Sequence, residues 1–397
     1  MMLQTLALTG PINVADFRDY IAPSQWRDDL PKGQGGTPVN LLGRELLRRG
    51  QRLLVISTDE AVRDEIVLKG DLLTLCLGPK GIRPARNFFR VEREYVQRTL
   101  QREKPQLIHA NWTYEYAMPV LNSGIPHVIT AHDAPINILR HNFIPYRIAR
   151  TLMAYRVTSR APRIVSVSPY VAKHLRRFML YRGAAEVVPN GMPEHVFERE
   201  AAAAEKDRPF TFATILVGWG GYKNGNAAID AFAHLRASYR QARLLMFGHA
   251  HGVGEHAQHY AQQKGVADGI EFVGQVAYPQ LMQRLANEVD VLVHPALEEA
   301  QPMALIEAMA MGIPVIGGQY SGGVPWTLDE GRAGMLVDVR SSPAIAAAMQ
   351  RMMSDESLRR SLSRLGQQHA RARFHIRAVA DAYQAIYQDV LSKNEQT

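Results

Sequence analysis

Short apolar strands alternate with amphipathic helices along nearly the whole chain, and they do so in two successive series. In the first half the runs 3–9, 52–58, 72–77, 106–109, 127–131 and 163–167 are rich in Val, Ile and Leu. Strands buried on both faces read this way, as continuous apolar runs rather than alternating ones. Helical patterns lie between them, at 39–49, 91–102 and 169–178. Such alternation predicts a doubly wound α/β layout.

A break follows. Residues 186–193, Glu-Val-Val-Pro-Asn-Gly-Met-Pro, are turn-rich, and 198–208 are polar, Ala-rich and linker-like. The alternation restarts at 210–217 and continues through 242–247, 270–273, 289–294, 314–316 and 335–337. A chain of 397 residues exceeds one ordinary core. Two α/β domains with a hinge near 188–193 are therefore expected. The closing segments 342–354, 358–370 and 376–391 read as helices. In the last, Ile376, Val379, Tyr383, Ile386, Tyr387 and Val390 recur at three- and four-residue spacing, an apolar face that must pack on something. Residues 394–397 read as a frayed tail.

Bulk composition bounds the function class. A hydrophobic fraction of 46% argues for a globular protein. No apolar run reaches the ~18 residues that span a bilayer. The first nine residues lack a basic region and read as a strand rather than a signal peptide. Cys76 is the sole cysteine, which excludes an internal disulfide and a cysteine metal cluster. A cytoplasmic protein is the expectation. The net charge of +8 asks for a partner: nucleic acid, anionic lipid or a phosphorylated substrate. No zinc-finger, RRM or helix-turn-helix signature supports the first.

The richest stretch is Glu299-Ala-Gln-Pro-Met-Ala-Leu-Ile-Glu307, followed by Ala-Met-Ala-Met-Gly312-Ile-Pro-Val-Ile. Eight residues at ~100° each leave the two carboxylates ~80° apart on a continuous helix. Pro302 makes a continuous helix unfavourable, since Pro belongs in a first turn. Glu299 is thus expected on a loop and Glu307 in the helix that Pro302 starts. The carboxyl end of a strand in an open α/β sheet is where ligands bind. There two carboxylates can grip two polyols, and the helix start can meet a diphosphate. An exposed loop Glu and a capping-type helix Glu are the plainer alternative.

Other constellations carry less on their own. Gly35 and Gly36 precede the helix at 39–49; they suit close approach of an anion, or simply a flexible loop. The loop Gly218-Trp-Gly220-Gly221-Tyr-Lys223 is either a phosphate cradle with a point charge or a tight strand-to-helix turn. His132 ends the strand at 127–131 and either points into the same kind of crevice or is structural. His109 and Asn111 end the preceding strand. Residues 140–156 mix Arg with aromatic and aliphatic residues, as interfacial helices and ordinary surface helices both do. Asp-x-Asp pairs and His-Glu-x-x-His spacings are absent from the sequence.

Together these residues resemble a known family. The chain is similar to the bacterial GT-B glycosyltransferases, the large retaining family 4 group (glycosyltransferase group 1). Glu299 through Ile316 matches its Glu-x7-Glu signature and continuation. Gly35-Gly36, Pro105 through His109, Thr130 through Asp133, Val188-Pro-Asn190-Gly191, Lys223, Ser321 through Pro325 and Gly334 through Val337 support it. The resemblance implies a GT-B fold: two Rossmann-like, doubly wound α/β domains facing a central cleft. It implies an acceptor domain at 1–189, a nucleotide-sugar donor domain at 190–375, and a helix at 376–394 that crosses back to the first.

It also implies roles. Glu299 holds hydroxyls of the donor sugar and Glu307 the ribose. Lys223, with Gly220 and Gly221, meets the diphosphate. The backbone of Ala300, Gln301 and Met303 lines sugar and phosphate. His132 contacts the transferred sugar, and Gly35 and Gly36 approach the diphosphate or acceptor. The family's Arg about five residues before the Lys is missing; Gly218 or Trp219 stands there. The implied reaction moves a sugar from a nucleoside diphosphate sugar to a hydroxyl of a glycan or lipid-linked acceptor, with retention and without metal or other cofactor. Closure of the two domains would exclude water. Polysaccharide or glycolipid assembly in the cytoplasm, at the inner face of the cytoplasmic membrane where the basic surface meets anionic lipid, is the expected setting. An epimerase of the same fold that consumes sugar nucleotide without acceptor, and a non-catalytic glycosyltransferase-like subunit, are the alternatives. A nucleic-acid binder rests only on charge.

Overall fold

The computed structural model describes residues 3–198 and 208–394. Most of the linker-like stretch and the last three residues of the chain lie outside the described residues. The chain divides into two compact units, Met1–Gly191 with Ile376–Thr397, and Met192–His375.

In the first unit eight described strands form one sheet. They are β1 (Leu6–Thr9), β2 (Leu53–Asp59), β3 (Ile66–Lys69), β4 (Leu73–Pro79), β5 (Leu107–Asn111), β6 (His127–Ala131), β7 (Ile164–Ser166) and β8 (Glu186–Val187). Their order is β3-β4-β2-β1-β5-β6-β7-β8. All neighbours are parallel except β3 and β4. Every residue of β1, β2 and β5 is buried, which is why these strands read as continuous apolar runs. The order reverses between β1 and β5, so the loops leaving their carboxyl ends splay apart and open a crevice.

Gly36 shapes the entry to the helix Thr37–Arg48. Its φ is 90°, and a Cβ there would meet the Pro11 carbonyl oxygen at 1.9 Å. Only Gly satisfies both conditions. The closing helix Ile376–Asn394 belongs to this unit. Its Ile376, Val379, Tyr383, Ile386 and Tyr387 are buried in the core that the helix Thr37–Arg48 and the sheet build. Polar contacts fix its register. Tyr387 Oη lies 2.8 Å from His109 Nδ1, Tyr383 Oη lies 2.9 Å from Thr130 Oγ1, and Arg49 pairs with Asp381 at 2.6 Å. Burial holds the His109 imidazole down at about 3, so it stays neutral as a structural bridge.

The second unit repeats the plan with six described strands, all parallel. They are β9 (Thr211–Ile215), β10 (Arg243–Phe247), β11 (Ile270–Gly274), β12 (Val291–His294), β13 (Val315–Gly318) and β14 (Met335–Val337). The order β11-β10-β9-β12-β13-β14 reverses between β9 and β12. The loop after β9 carries Gly218–Lys223, and the loop after β12 carries Glu299.

Two strands escaped the sequence reading. β3 is partly exposed, with Val67 on the surface, and lacks a long apolar run. β8 is a two-residue edge strand inside the turn-rich segment.

Candidate donor and sugar sites

The loops after β9 and β12 meet through side chains and backbone alike. Lys223 Nζ donates to Glu299 Oε1 at 2.7 Å, and His294 Nε2 lies 3.3 Å from the same oxygen. The Leu297 N–H donates to the Tyr222 carbonyl at 2.7 Å. The Asn224 amide donates to the carbonyls of Pro295 at 3.0 Å and Val339 at 2.8 Å. From the loop after β13, the Gly323 N–H reaches the Glu299 carbonyl at 2.7 Å. Glu299 is thus fixed on three sides, by Lys223 and Gly323 from other loops and by His294 at the end of its own strand.

Burial alone would push the Glu299 carboxyl up; Lys223 and His294 outweigh it and hold it at about 2. Glu299 is therefore an ionised acceptor at any working pH. Glu307 is the opposite case. It lies inside the helix Met303–Ala310, whose residues 304–310 are all buried. Burial pushes its carboxyl up to about 7, only partly offset by the Tyr278 hydroxyl. The two carboxylates have different environments and so different charge states near neutrality.

The helix begins at Met303, with Pro302 as its N-cap rather than its first residue. Pro offers no capping side chain, so the first N–H groups remain available to an anion. Gly312 ends the helix with φ 74°. Its N–H bonds to Met309 and that of Ile313 to Ala308, a complete Schellman closure. That closure starts β13 immediately, which is how the Glu-x7-Glu segment is held between two adjacent strands.

Trp219, where the family's Arg is missing, is spent on packing. Its ring lies 5.6 Å from both His251 and Tyr260. Lys223 is the one cation of the described Gly218–Lys223 loop.

In the first unit, His132 follows β6. Its Nε2 lies 3.0 Å from Asn111 Oδ1, and its ring stacks on Trp112 at 4.2 Å. The Asn111 amide donates to the Thr9 carbonyl at 3.3 Å, which turns Oδ1 toward His132. His132 must then donate from Nε2, leaving Nδ1 as an acceptor. That Nδ1 is buried and has no hydrogen-bond partner among the described residues. Burial holds this imidazole down at about 3, so it is neutral and offers a lone pair, not a proton.

The residues singled out in the sequence thus gather in two groups. Lys223, Gly220, Gly221, Glu299, Ala300, Gln301, Met303 and Glu307 lie on the loops and helix around β9 and β12 of the second unit. Gly35, Gly36 and His132 lie at carboxyl ends in the first. Sequence reasoning passed over His294 and Asn224. The former ends the apolar run of β12, at the carboxyl end of the strand, the side on which open α/β sheets bind ligands.

Known proteins bear on this geometry. Residues 202–369 match the model for glycosyl transferases group 1, and residues 36–195 match glycosyltransferase family 4. The two matches together take in most of the chain. The chain belongs to the family 4-like, group 1 glycosyltransferases. A D-inositol 3-phosphate glycosyltransferase from Corynebacterium jeikeium is 26% identical over 52% of this chain and 52% of its own length. The matches span between about half and two thirds of the first curated relatives. Sucrose-phosphate synthase from Thermosynechococcus elongatus superposes with a TM-score of 0.77 at 19% identity, over 98% of this chain and 100% of that one. Anabaena HepE in complex with UDP and glucose gives 0.68 at 16% identity, over 97% and 99%. At that identity the two structures speak to the fold, which is GT-B: two Rossmann-like α/β units.

Proposed function

We propose that this family member transfers a glycosyl group from a nucleoside diphosphate sugar to a hydroxyl of a glycan or lipid-linked acceptor, with retention. The observation that carries the reading is the Lys223–Glu299 pair at the point where the second sheet reverses. It sets a fixed anion for sugar hydroxyls beside a fixed cation for phosphate. The bond from the sugar's anomeric carbon to the diphosphate oxygen breaks, and a bond to the acceptor oxygen forms on the same face. The acceptor's proton passes to the departing phosphate oxygen, so no protein base is required. Charge grows on the diphosphate as it leaves. Lys223 and the uncapped start of the helix Met303–Ala310 oppose that charge, and they do so most in the transition state. Retention is read from the family. No metal ion enters the proposal.

His132 Nδ1 suits a hydrogen bond from a sugar hydroxyl, and Glu307 suits the ribose. In this reading the donor favours ionised Glu307, so binding has a pH dependence. The free carboxyl titrates at about 7, hence donor affinity should fall as pH drops below about 7, approaching tenfold per pH unit. Titration calorimetry with a UDP-sugar from pH 5.5 to 8 checks this; a flat profile would remove Glu307 from the ribose contact. Which donor is used is open to a screen of UDP-, GDP- and ADP-sugars. A ligand at ~100 times its Kd adds ~2.7 kcal/mol of stability. Donor consumption that needs no acceptor would point to the epimerase instead, and donor binding without turnover to a non-catalytic subunit.

The proposal includes peripheral contact with anionic membrane on the cytoplasmic side. Ile82, Phe143, Ile144 and Leu152 are exposed, and Arg83, Arg86, Arg147 and Arg156 lie within a few residues of them in sequence. The helix Pro145–Thr158 packs beside the turn Pro84–Asn87, which joins these segments into one basic and apolar surface. Among the described residues no helix is long and apolar enough to cross a membrane. Cosedimentation with phosphatidylglycerol vesicles should be clear at low salt and weaken severalfold near 0.5 M salt. Salt-independent or absent binding would overturn this contact.

A further inference from the structure

A cavity of about 250 Å³ opens in the first unit at the carboxyl ends of β1, β2, β4 and β5. Trp112 forms one wall of it, and its ring stacks on His132 at 4.2 Å. The cavity therefore adjoins the group read above as a sugar contact. Its volume is a little under the ~300–1,000 Å³ of drug-sized sites, room for one ring rather than a chain.

The lining is aromatic and charged. Phe89 and Trp112 both line it with φ of 57° and 62°. Left-handed backbone costs a bulky residue roughly 1–2 kcal/mol, so the surroundings must hold these two rings in place against that cost. The cations are already matched. Lys80 pairs with Glu60 at 2.5 Å. Arg150 pairs with Glu115 at 3.0 Å, and its guanidinium sits 4.1 Å from the Tyr114 ring centre.

The carboxylates are not fully matched. Glu92 is 1% exposed, and its Oε1 accepts from the Gly81 N–H at 3.0 Å. Its Oε2 is buried with no hydrogen-bond partner among the described residues, and the same holds for Glu115 Oε2 and Arg150 Nε. Burial pushes the Glu92 carboxyl above its ordinary value. In its ionised form it can only accept, so a ligand that satisfies it must bring O–H or N–H donors. A phosphate or carboxylate group on the ring adds no donor and brings like charge to the two carboxylates, while the charges of Lys80 and Arg150 are already paired with Glu60 and Glu115.

We propose that this cavity binds a neutral, hydroxyl-rich sugar ring. Glu92 and Glu115 accept its hydroxyl hydrogens, Arg150 donates to a ring or hydroxyl oxygen, and Phe89 and Trp112 cover its C–H faces. Rings that carry phosphate or carboxylate are rejected. Naming this ring the acceptor terminus rests on the glycosyl transfer proposed above; binding itself does not need it.

Saturation-transfer NMR on the full chain tests the assignment. The probes are methyl glycosides of neutral hexoses and N-acetylhexosamines, set against hexose 6-phosphates and hexuronates. At least one neutral glycoside should bind about tenfold or more tightly than its anionic counterpart. Glu92→Gln and Glu115→Gln should each weaken that binding about tenfold, since an amide returns one acceptor but adds two N–H groups. Thermal melts report whether the variants fold, and the comparison of neutral with anionic probes stands on the wild-type chain alone. Anionic rings binding as well or better, no glycoside binding at all, or folded variants that bind unchanged would overturn the assignment. The same sample titrated with UDP-sugars separates the two proposals. UDP-sugar bound without glycosides sinks this site and leaves transfer standing; glycosides bound without any nucleotide sugar does the reverse.

Discussion

Glu299→Ala should remove glycosyl transfer, by ~10²–10³-fold or more in kcat, while the chain remains folded. The magnitude is that of deleting one preorganised electrostatic contact at a reacting centre. Ala takes away the ionised acceptor for sugar hydroxyls and also frees Lys223 and His294, which both converge on Glu299 Oε1. The backbone of this loop is held independently, by the Gly323 N–H on the Glu299 carbonyl and by Asn224 on Pro295. The loop should therefore keep its course without the side chain. Initial rates with donor and acceptor, alongside a thermal melt, decide the matter. A folded variant with near wild-type rates would dislodge Glu299 from the site.

Much of this arrangement was legible in the chain because it is local. Pro302 and Gly312 punctuate the helix that carries Glu307, and both act within a turn of their own position. β6 and the helix Pro169–Phe178 appear with the ends that the sequence suggests, since Pro169 can open a helix and Ser168 caps it. What the sequence hid depends on side-chain contacts that form only in the folded chain. His294 gains meaning only from its bond to Glu299, and Asn111 only from orienting His132 through the Thr9 carbonyl. Glu92 looks like an ordinary surface residue on the Arg-rich helix Arg90–Glu103, yet it is buried. β3 could not be seen either, because its pairing is antiparallel to β4 and its apolar run is short.

Lys223→Met should show how strongly the Lys223–Glu299 pair is built into the second unit. Both side chains are mostly buried, at 20% and 16% exposure, so solvent screens the pair weakly. Glu299 drops from an ordinary 4.5 to about 2, with burial opposing the shift and Lys223 the largest of the effects favouring it. At ~1.4 kcal/mol per pH unit, that drop corresponds to about 3 kcal/mol of stability. The sign follows from the depressed carboxyl. Its contribution is fully present above pH 4.5 and is lost as pH falls toward about 2. Met keeps much of the length and apolar stem but removes the charge, so Glu299 should rise as burial dominates. The variant should then be up to about 3 kcal/mol less stable than wild type at pH 7, and the two should converge toward pH 2. Urea unfolding between pH 2.5 and 7 reads this directly. A stability difference that does not narrow in acid would mean that the pair is incidental. Transfer should fall with it by ~10²-fold or more, because no other cation of the Gly218–Lys223 loop can oppose the charge on a departing diphosphate and Trp219 is committed to His251 and Tyr260.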